Sequence, residues 1–424
     1  MTRLATVSRT IVVHAPLSEA FALLAERFEG GQVELDPPAR LTVSSSSRRP
    51  LRVEDRLTYR LEDCDGGTRV IRDLERRGSW LLAPLRRGMQ RRLEVDAERR
   101  LSELAHTLGP ARASRARDFD VRPFRTIFQG PWSGNGLSYM PFRDGESPDS
   151  EPTSKEHIRQ DLEMLAQRWN LIRIYGWGEV AKRVLEVIRD HRIPMQVMQG
   201  AWLANDQTQE ENDAQVQGVI EAANQFPDIV VALGIGNEIF VDWSAHRLDD
   251  PQPVIDYLRQ ARAAVKQPVT INDDYSFWNK PESKAIADEL DFIGLHAYAF
   301  WNNQPLEEAA AWTRKIYADI RAMHPHHAIA FTEAGWPSSR VVGDGSYEGG
   351  LVGEANEATL ATFFDWYDAW VDDNQIVSCY FEAFDESWKG GWDGHNPADK
   401  AEKHWGVYRS DRTPKDGLGI PSGD

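Results

Sequence analysis

Cysteine is nearly absent from this chain of 424 residues, which contains only Cys64 and Cys379. Two cysteines so far apart exclude a disulfide framework and a cysteine-rich metal cluster. The sequence also lacks an apolar run of about 18 residues, the length needed to cross a bilayer, and an apolar segment typical of an export signal. It therefore predicts a protein without an integral membrane segment, for which the cytoplasm is the expected location.

Lysine is missing from residues 1–112, which contain 20 Arg, 16 acidic residues and one tryptophan, Trp80. That part has a charge of +4, so the total of −17 leaves −21 for the remainder, which holds the other fourteen Trp. Such different usage predicts two domains, residues 1–110 and 125–424, joined by a linker at 111–124. The acidic larger part argues against nucleic acid as a partner, because its recognition rests on Lys and Arg. A neutral substrate fits better.

The smaller domain begins with a strand pattern at residues 7–14 and a helix pattern at about 15–28, and it ends with an amphipathic helix pattern at 81–108. This order of elements resembles the START-like (polyketide-cyclase-like) helix-grip family over residues 5–108, although no diagnostic motif accompanies it. The resemblance implies an α+β domain that encloses an apolar ligand between sheet and helix. Because one fold hosts many functions, the ligand is an expectation.

The larger domain alternates short apolar runs with stretches long enough for a helix. Eight such runs occur, at residues 126–129, 171–175, 195–199, 230–234, 269–272, 292–296, 329–332 and 376–381. Eight strand and helix units over roughly 280 residues predict the α/β class and, within it, a (β/α)₈ barrel rather than a doubly wound sheet. Reactive groups in such a barrel lie at the carboxyl ends of the strands.

The stretch Ala328–Ser338 delivers a carboxylate to such a strand end. Apolar residues run directly into Glu333, after which Gly335 and Pro337 turn the backbone. An unpaired carboxylate in a buried position would shift its pKa and become neutral. Glu333 is therefore either a functional group or a structural carboxylate paired with a nearby Arg or Lys.

A second apolar strand ends at an acid, Glu238, in the stretch Ala-Leu-Gly-Ile-Gly-Asn-Glu. Glu238 precedes Glu333 by 95 residues (333 minus 238), or three units of about 32 residues, so both acids can face one cavity of a barrel. Two carboxylates across a cleft are what glycosidic bond cleavage requires. Trp side chains after strand ends can stack on sugars, although packing against a helix is the commoner role of any single Trp. They are Trp177, Trp202, Trp278, Trp301, Trp336 and Trp388.

Four ordered motifs carry a resemblance to a known family. They are Ile-Arg-Ile-Tyr-Gly (172–176), Gly-Asn-Glu (236–238), Thr-Glu-Ala-Gly-Trp-Pro-Ser (332–338) and Phe-Asp-Glu-Ser-Trp-Lys (384–389). Residues 125–415 thereby resemble family 17 of the glycoside hydrolases, the β-1,3-glucan hydrolases and their transglycosylating relatives. The resemblance implies a β-glucan oligo- or polysaccharide as substrate and a retaining double displacement. It gives Glu238 the role of acid/base and Glu333 that of nucleophile, and it implies neither a cofactor nor a metal.

Seven further residues are expected to bind substrate or support the site, from their places after strands or from the family motifs. They are Arg173, Tyr175, Asn237, Tyr298, Trp336, Glu386 and Lys389. Because the acid must hold its proton while the nucleophile is ionised, we expect a raised pKa for Glu238, caused by Glu333. We expect a lower pKa for Glu333, caused by Arg173 or Lys389. Retaining chemistry requires the two carboxyl groups to lie about 5 to 5.5 Å apart.

Three other functions are compatible with parts of this pattern. A β-1,3-glucan transglycosylase would use the same residues, with a sugar hydroxyl in place of water as the acceptor. A non-catalytic glucan-binding protein could use the aromatic cleft, but binding alone would not need a carboxylate pair. Residues 1–112 could also carry the main activity as a lipid or small-ligand binder.

Overall fold

The computed structural model describes residues 2–13, 32–36, 40–47, 53–64, 67–78, 119–124, 132–390 and 396–422. The chain forms two compact units, one made of residues 1–120 with 127–132, the other of residues 121–126 with 133–424. Residues 121–124, which the sequence assigned to the linker, belong to the second unit. There the Arg122 backbone N–H donates to Asp291 Oδ1 at 2.7 Å.

The first unit contains an antiparallel sheet of five strands in the order β1-β5-β4-β3-β2. The strands are β1 Thr2–Val13, β2 Gln32–Asp36, β3 Arg40–Ser47, β4 Val53–Cys64 and β5 Gly67–Gly78. Leu61 of β4 pairs with Val70 of β5, and both side chains are buried. The helices that the sequence predicted at 15–28 and 81–108 lie outside the described residues.

The second unit is a closed barrel of eight parallel strands, which confirms the predicted (β/α)₈ architecture. The strands are β6 Asn135–Ser138, β7 Leu171–Ile174, β8 Gln196–Ala201, β9 Val230–Asn237, β10 Val269–Asp274, β11 Phe292–His296, β12 Ala328–Ala334 and β13 Ser378–Tyr380.

The first strand of the closed barrel is β6. The run predicted at 126–129 lies outside the described residues. The sequence around β6, Ser-Gly-Asn-Gly-Leu-Ser, reads as a turn. It can form a strand because β6 approaches β7 very closely: a Cβ added at Gly136 would lie 2.5 Å from the Leu171 carbonyl oxygen. Glycine is thus required here by packing against the neighbouring strand.

Helices surround the strands on the outside of the barrel. They are α1 Lys155–Leu165, α2 Glu179–His191, α3 Gln209–Gln225, α4 Gln252–Ala264, α5 Tyr275–Trp278, α6 Ser283–Ala287, α7 Leu306–Met323 and α8 Glu357–Asn374. Ser154 caps α1, since its side chain accepts from the His157 N–H at 3.1 Å. None of the described helices combines the length and the apolar character needed to span a bilayer.

Apolar side chains fill the barrel interior below the carboxyl ends of the strands. Six different strands contribute to one cluster of buried residues, which includes Leu171, Met198, Ala232, Phe292, Ala330 and Cys379. Phe124 closes it, with its ring centroid 5.0 Å from that of Phe292. Because this cluster occupies the interior with hydrocarbon, the polar residues at the strand ends lie at the other end of the barrel.

A closing segment, residues 396–422, follows the last strand and fastens two parts of the barrel. Arg412 Nη2 donates to the buried Asp161 Oδ2 of α1 at 2.9 Å. Lys415 Nζ donates to Asp385 Oδ1, just beyond β13, at 2.7 Å. The same segment places the buried ring of Trp405 5.0 Å from the ring of Tyr298.

Candidate active site

Glu238 directly follows β9, at a sharp change of backbone direction. Gly236 has φ +98° and Glu238 has φ +51°, both in the left-handed region. That region is unfavourable for a residue such as Glu and is often found at functional sites, where the surrounding structure fixes it. The fixing contact here is the Glu238 N–H, which donates to the Asn272 carbonyl at 2.8 Å. The Glu238 side chain is 16% exposed, so it reaches solvent while its backbone is held.

Glu333 lies near the end of β12 and is almost fully buried. Arg173 Nη1 donates to its Oε1 at 2.6 Å, and the Tyr298 hydroxyl donates to its Oε2 at 2.5 Å. The sequence left open a carboxylate paired with a neighbouring Arg, and this ion pair is present. Both oxygens of Glu333 are thus held in place by donors that favour the ionised form.

His296 connects the two acids. Its Nδ1 lies 2.9 Å from Glu238 Oε1, and its Nε2 lies 3.5 Å from Glu333 Oε1. One carboxylate oxygen of Glu238, one of Glu333 and one ring nitrogen of His296 all lie within 4.8 Å of one another. The sequence placed His296 at a strand end but did not select it for the site. The signal was its position, directly after a buried apolar strand and two residues before Tyr298.

The environments of the two acids separate their pKa values. Burial raises the pKa of Glu238 well above its usual range, and the charge of Glu333 raises it further. Burial also opposes ionisation of Glu333, but the charge of His296 in its protonated form and that of Arg173, with hydrogen bonds from Tyr298 and Arg173, outweigh it and lower the pKa of Glu333. Burial lowers the pKa of His296 to about 4. His296 is therefore neutral at neutral pH, and Arg173 is the permanent cation. The order matches the expectation from the sequence, although burial rather than Glu333 is the larger cause for Glu238.

Arg173 joins residues from several strands around Glu333. Its Nη2 donates to Asn237 Oδ1 at 2.5 Å, and its guanidinium lies 4.2 Å from the centre of the Tyr175 ring. The arginine is fully buried. Tyr175, expected to bind substrate, thus supports Arg173 through a cation–π contact. Asn237, which precedes the candidate acid, is fixed by the same guanidinium.

Glu386 and Lys389 lie beyond β13, in an ion cluster with Glu382. Lys389 Nζ lies 2.9 and 2.7 Å from the two carboxylate oxygens of Glu382 and 2.7 Å from Glu386 Oε2. Trp388 Nε1 donates to Glu386 Oε1 at 3.0 Å. Burial opposes the charge of Lys389, but Glu382 and Glu386 outweigh it and raise the pKa of Lys389. The cation beside Glu333 is therefore Arg173, whereas Lys389 forms ion pairs with Glu382 and Glu386.

Trp336 was expected to stack on substrate, but it is fully buried. Its ring lies 5.4 Å from that of Phe300 and 5.5 Å from that of Phe363, and its Nε1 donates to the Glu354 carbonyl at 2.9 Å. No face of the ring is open to a sugar. The expectation is corrected: Trp336 packs behind the site, because the segment after β12 turns this side chain inwards onto α8.

Glu402 is a third carboxyl of the site that strand-end reasoning missed. It lies in a single helical turn, Ala401–Lys403, rather than after a strand. Burial raises the pKa of Glu402 to about 7, with the charges of Glu348 and Glu333 acting in the same direction against that of Lys389. Its own charge contributes to the raised pKa of Glu238. Glu402 begins the stretch Glu-Lys-His-Trp-Gly-Val-Tyr (402–408), which also contains Trp405.

Among the described residues, Glu238, His296 and Glu333 form the group whose ligand atoms are close enough to hold a metal ion. Arg173 and Tyr298 already donate to both oxygens of Glu333. A cation at this position would have to compete with a guanidinium for the same carboxylate. The donor set fits a proton-transfer and nucleophile pair better than a metal centre.

Comparison with known proteins gives the family. Residues 136–406 match the BtgE/BtgC glycoside hydrolase domain, and the chain belongs to this family. The probable glucan endo-1,3-beta-glucosidase btgC of Aspergillus clavatus is 26% identical over 288 residues, which cover 64% of this chain and 40% of that protein. The glucan 1,3-beta-glucosidase of Arthroderma benhamiae is 26% identical over 288 residues, covering 63% of this chain and 86% of the relative. The chain thus spans about two fifths of the btgC relative.

Two solved structures share the barrel fold. An endo-laminarinase from Formosa Hel1_33_131 matches with a TM-score of 0.59 and 22% identity, over 68% of this chain and 86% of that one. An active-site mutant of Rhizomucor miehei beta-1,3-glucanosyltransferase in complex with laminaritriose matches with a TM-score of 0.55 and 23% identity, over 68% and 98%. At this level of identity the likeness establishes the fold.

Proposed function

We propose that the barrel cleaves β-1,3-glucan as a retaining glycoside hydrolase of the family 17 type, with Glu238 as acid/base and Glu333 as nucleophile. The observation that carries the proposal is the carboxyl pair. Arg173 and Tyr298 hold Glu333 ionised, and Glu238 has a raised pKa. A carboxylate oxygen of Glu238 lies within 4.8 Å of one of Glu333. The names of the relatives, glucan endo-1,3-beta-glucosidases, support the choice of substrate.

The reaction would proceed in two steps. The Glu333 carboxylate attacks the anomeric carbon while Glu238 gives its proton to the departing glycosidic oxygen, so that the bond breaks and a glycosyl ester forms. Glu238, now ionised, then takes a proton from water, whose oxygen attacks the same carbon and releases Glu333. Retaining enzymes hold their carboxyl groups about 5 to 5.5 Å apart, and inverting enzymes about 6.5 to 9.5 Å. The close approach of Glu238 and Glu333 supports retention.

The surrounding residues have supporting roles in this proposal. Arg173 and Tyr298 keep Glu333 ionised and aimed, and Asn237 is positioned beside the acid. His296 is neutral, so it can hold Glu238 through a hydrogen bond without removing the proton needed for catalysis. Glu386 and Lys389, which follow β13, would support the site and hold substrate.

Incubation of the protein with linear β-1,3-glucan hexamers, followed by separation of the products, tests the proposal. Shorter products alone indicate hydrolysis, and products longer than the hexamer indicate transfer to a sugar acceptor by the same residues. The hexamer left intact would refute both. Glu333→Gln is the control: it should abolish cleavage while the circular dichroism spectrum stays unchanged. A folded, active Gln variant would refute the nucleophile role.

For residues 1–110 we propose a START-like domain that binds an apolar ligand. Support comes from the five-stranded antiparallel sheet and from the buried Leu61 and Val70 pair on it. Uptake of a fluorescent apolar probe by the full chain, lost when Leu61 is replaced by Asp, would be the expected result. Undiminished uptake by a folded variant would contradict it.

A further inference from the structure

Exposed apolar side chains are concentrated on one loop beside the candidate site. Among the described residues, four large apolar side chains are strongly exposed, and three of them, Val342, Tyr347 and Val352, lie on the loop 339–353. This loop follows β12, the strand that carries Glu333. Tyr347 is 70% exposed. Exposed large apolar side chains grouped on a loop that follows the strand of a candidate nucleophile suit a binding surface.

Hydrogen bonds fix the loop against the segment that follows β11. The Tyr347 hydroxyl donates to the Trp301 carbonyl at 2.5 Å, and the Val352 N–H donates to Asn303 Oδ1 at 2.8 Å. The buried Glu348 carboxylate of the loop accepts from the Val341 N–H at 2.8 Å and from the Ala401 N–H of the closing segment at 2.9 Å. The Tyr347 ring is therefore held in one place, with its hydroxyl already satisfied and its faces open to solvent.

Three aromatic side chains follow three neighbouring strands and form what we call the aromatic platform: Tyr275 after β10, Trp301 after β11 and Tyr347 after β12. The Tyr275 hydroxyl donates to Asn302 Oδ1 at 2.5 Å, which ties the first member to the second. Burial and the charge of Asp274 raise the pKa of Tyr275, and Tyr347 contributes in the same direction because it is near. All three residues are at least partly exposed.

The aromatic platform is continuous with the candidate nucleophile. The Trp301 ring lies 5.9 Å from the Trp405 ring, which lies 5.0 Å from the Tyr298 ring. Tyr298 in turn donates its hydroxyl to Glu333. A row of packed rings therefore runs from Tyr298, the donor to Glu333, to Trp301. The backbone carbonyl of Trp301 accepts the hydrogen bond from the exposed Tyr347.

We propose that the aromatic platform binds glucosyl units of the substrate chain that lie beyond the bond being cleaved, so that long β-glucans are preferred over short ones. The inference rests on the proposed function and specifies its substrate. A glucosyl ring presents C–H groups on its faces, which match a flat aromatic surface, and it has no charge for the surrounding acids to repel. Because the platform is already rigid, little conformational entropy is lost when the sugar binds.

The experiment compares kcat/KM for linear β-1,3-glucan trimer and octamer, using the full chain. Tyr347→Ala should lower kcat/KM for the octamer about tenfold more than for the trimer, the effect of losing one aromatic contact. Tyr347→Phe should keep the preference for the octamer, because the ring remains. Trp243→Ala is the matched control, since it removes a ring that is 62% exposed but lies outside both the loop and the aromatic platform, and it should behave as the wild type.

Equal losses on trimer and octamer, or no loss on either, would overturn the proposal. If the wild type cleaves no β-1,3-glucan at all, the proposed function fails, and calorimetric binding of the same oligomers decides the question for the platform. Weaker octamer binding by Tyr347→Ala, with trimer binding much less affected, would then support the platform. Equal octamer binding by the variant and the wild type would refute it.

Discussion

Arg173 is the residue on which the electrostatics of the site depend. One fully buried guanidinium contacts Glu333, Asn237 and the Tyr175 ring. Arginine keeps its charge at any pH a protein experiences, whereas the neighbouring His296 is neutral above about pH 4. The arginine therefore keeps Glu333 ionised over the pH range in which Glu238 still holds its proton, which is the division of roles that acid and nucleophile need.

Replacing Arg173 with Lys should lower kcat/KM about 100-fold, because a lysine cannot donate to Glu333 and Asn237 with the same fork geometry. The pKa of Glu333 is lowered by this cation, so weakening the contact raises that pKa. Activity should consequently appear at higher pH on the acid side of the profile, which a kcat/KM titration measures. Arg183→Lys, on the outer helix α2, serves as the control and should leave the profile in place. An unshifted acid limb in the Arg173 variant would contradict the assignment.

Glu238 should determine the alkaline side of the same profile. Activity is expected to fall as pH rises through its raised pKa, because the ionised form cannot protonate the leaving group. Glu238→Ala should lose about 10²- to 10⁴-fold on glucan and far less on a dinitrophenyl glucoside, whose leaving group needs no proton. Rates measured on both substrates decide the matter, and equal losses would exclude the acid role.

At this scale the sequence predicted which residues meet, but not which way each one faces. Glu238, Glu333, Arg173 and Tyr298 follow from strand ends, since a barrel brings these ends together. Trp336 also follows a strand, yet its ring is buried by residues from the segment after β11 and from α8, which no local pattern reveals. The strand-end rule could not predict Glu402, because this residue lies on a single helical turn and not after a strand.

At the scale of elements, close approach between strands decides where the barrel begins. The sequence of β6 resembles a turn, but Gly136 allows close packing against β7 and does not form a turn. Strand periodicity predicted the other seven strands within a few residues, since each is a continuous apolar run. It also predicted a helix between successive strands, although the connection between β10 and β11 holds two short helices, α5 and α6.

Gly136→Ala should reduce the free energy of unfolding by about 2 to 4 kcal/mol, because the new methyl group would lie 2.5 Å from the Leu171 carbonyl oxygen and neither backbone can yield cheaply. Urea denaturation followed by tryptophan fluorescence measures the change. Gly178→Ala is the matched control, since a Cβ there meets nothing within 4 Å and the backbone is extended. A Gly136 variant as stable as that control would show that β6 and β7 are less tightly packed than described.

At the scale of the whole molecule, the barrel unit contains everything the proposed chemistry uses. Its strands close on themselves, its interior is filled by its own side chains, and the carboxyl pair, Arg173 and the aromatic platform all belong to it. The two parts of the sequence also differ in charge, +4 for residues 1–112 and −21 for the remainder. The boundary between the two units was harder to predict from the sequence, because residues 121–124 look like a linker but belong to the barrel unit.

A protein consisting of residues 119–424 should therefore fold and keep its kcat/KM on the β-1,3-glucan trimer within about twofold of the full chain, as expected of a compact unit with its own core. Circular dichroism establishes folding before the rates are compared. A folded barrel that has lost activity would mean that residues 1–118 take part in catalysis or in substrate binding.

The closing segment is synthesised after the strands and acids that it contacts. All eight strands and both acids leave the ribosome before residues 396–422 do. Until that segment arrives, Tyr298 has no Trp405 behind it, and Asp385 has no Lys415 to neutralise it. The ring contact behind Tyr298 and the ion pair of Asp385 therefore form only after the last residues of the barrel unit have been made.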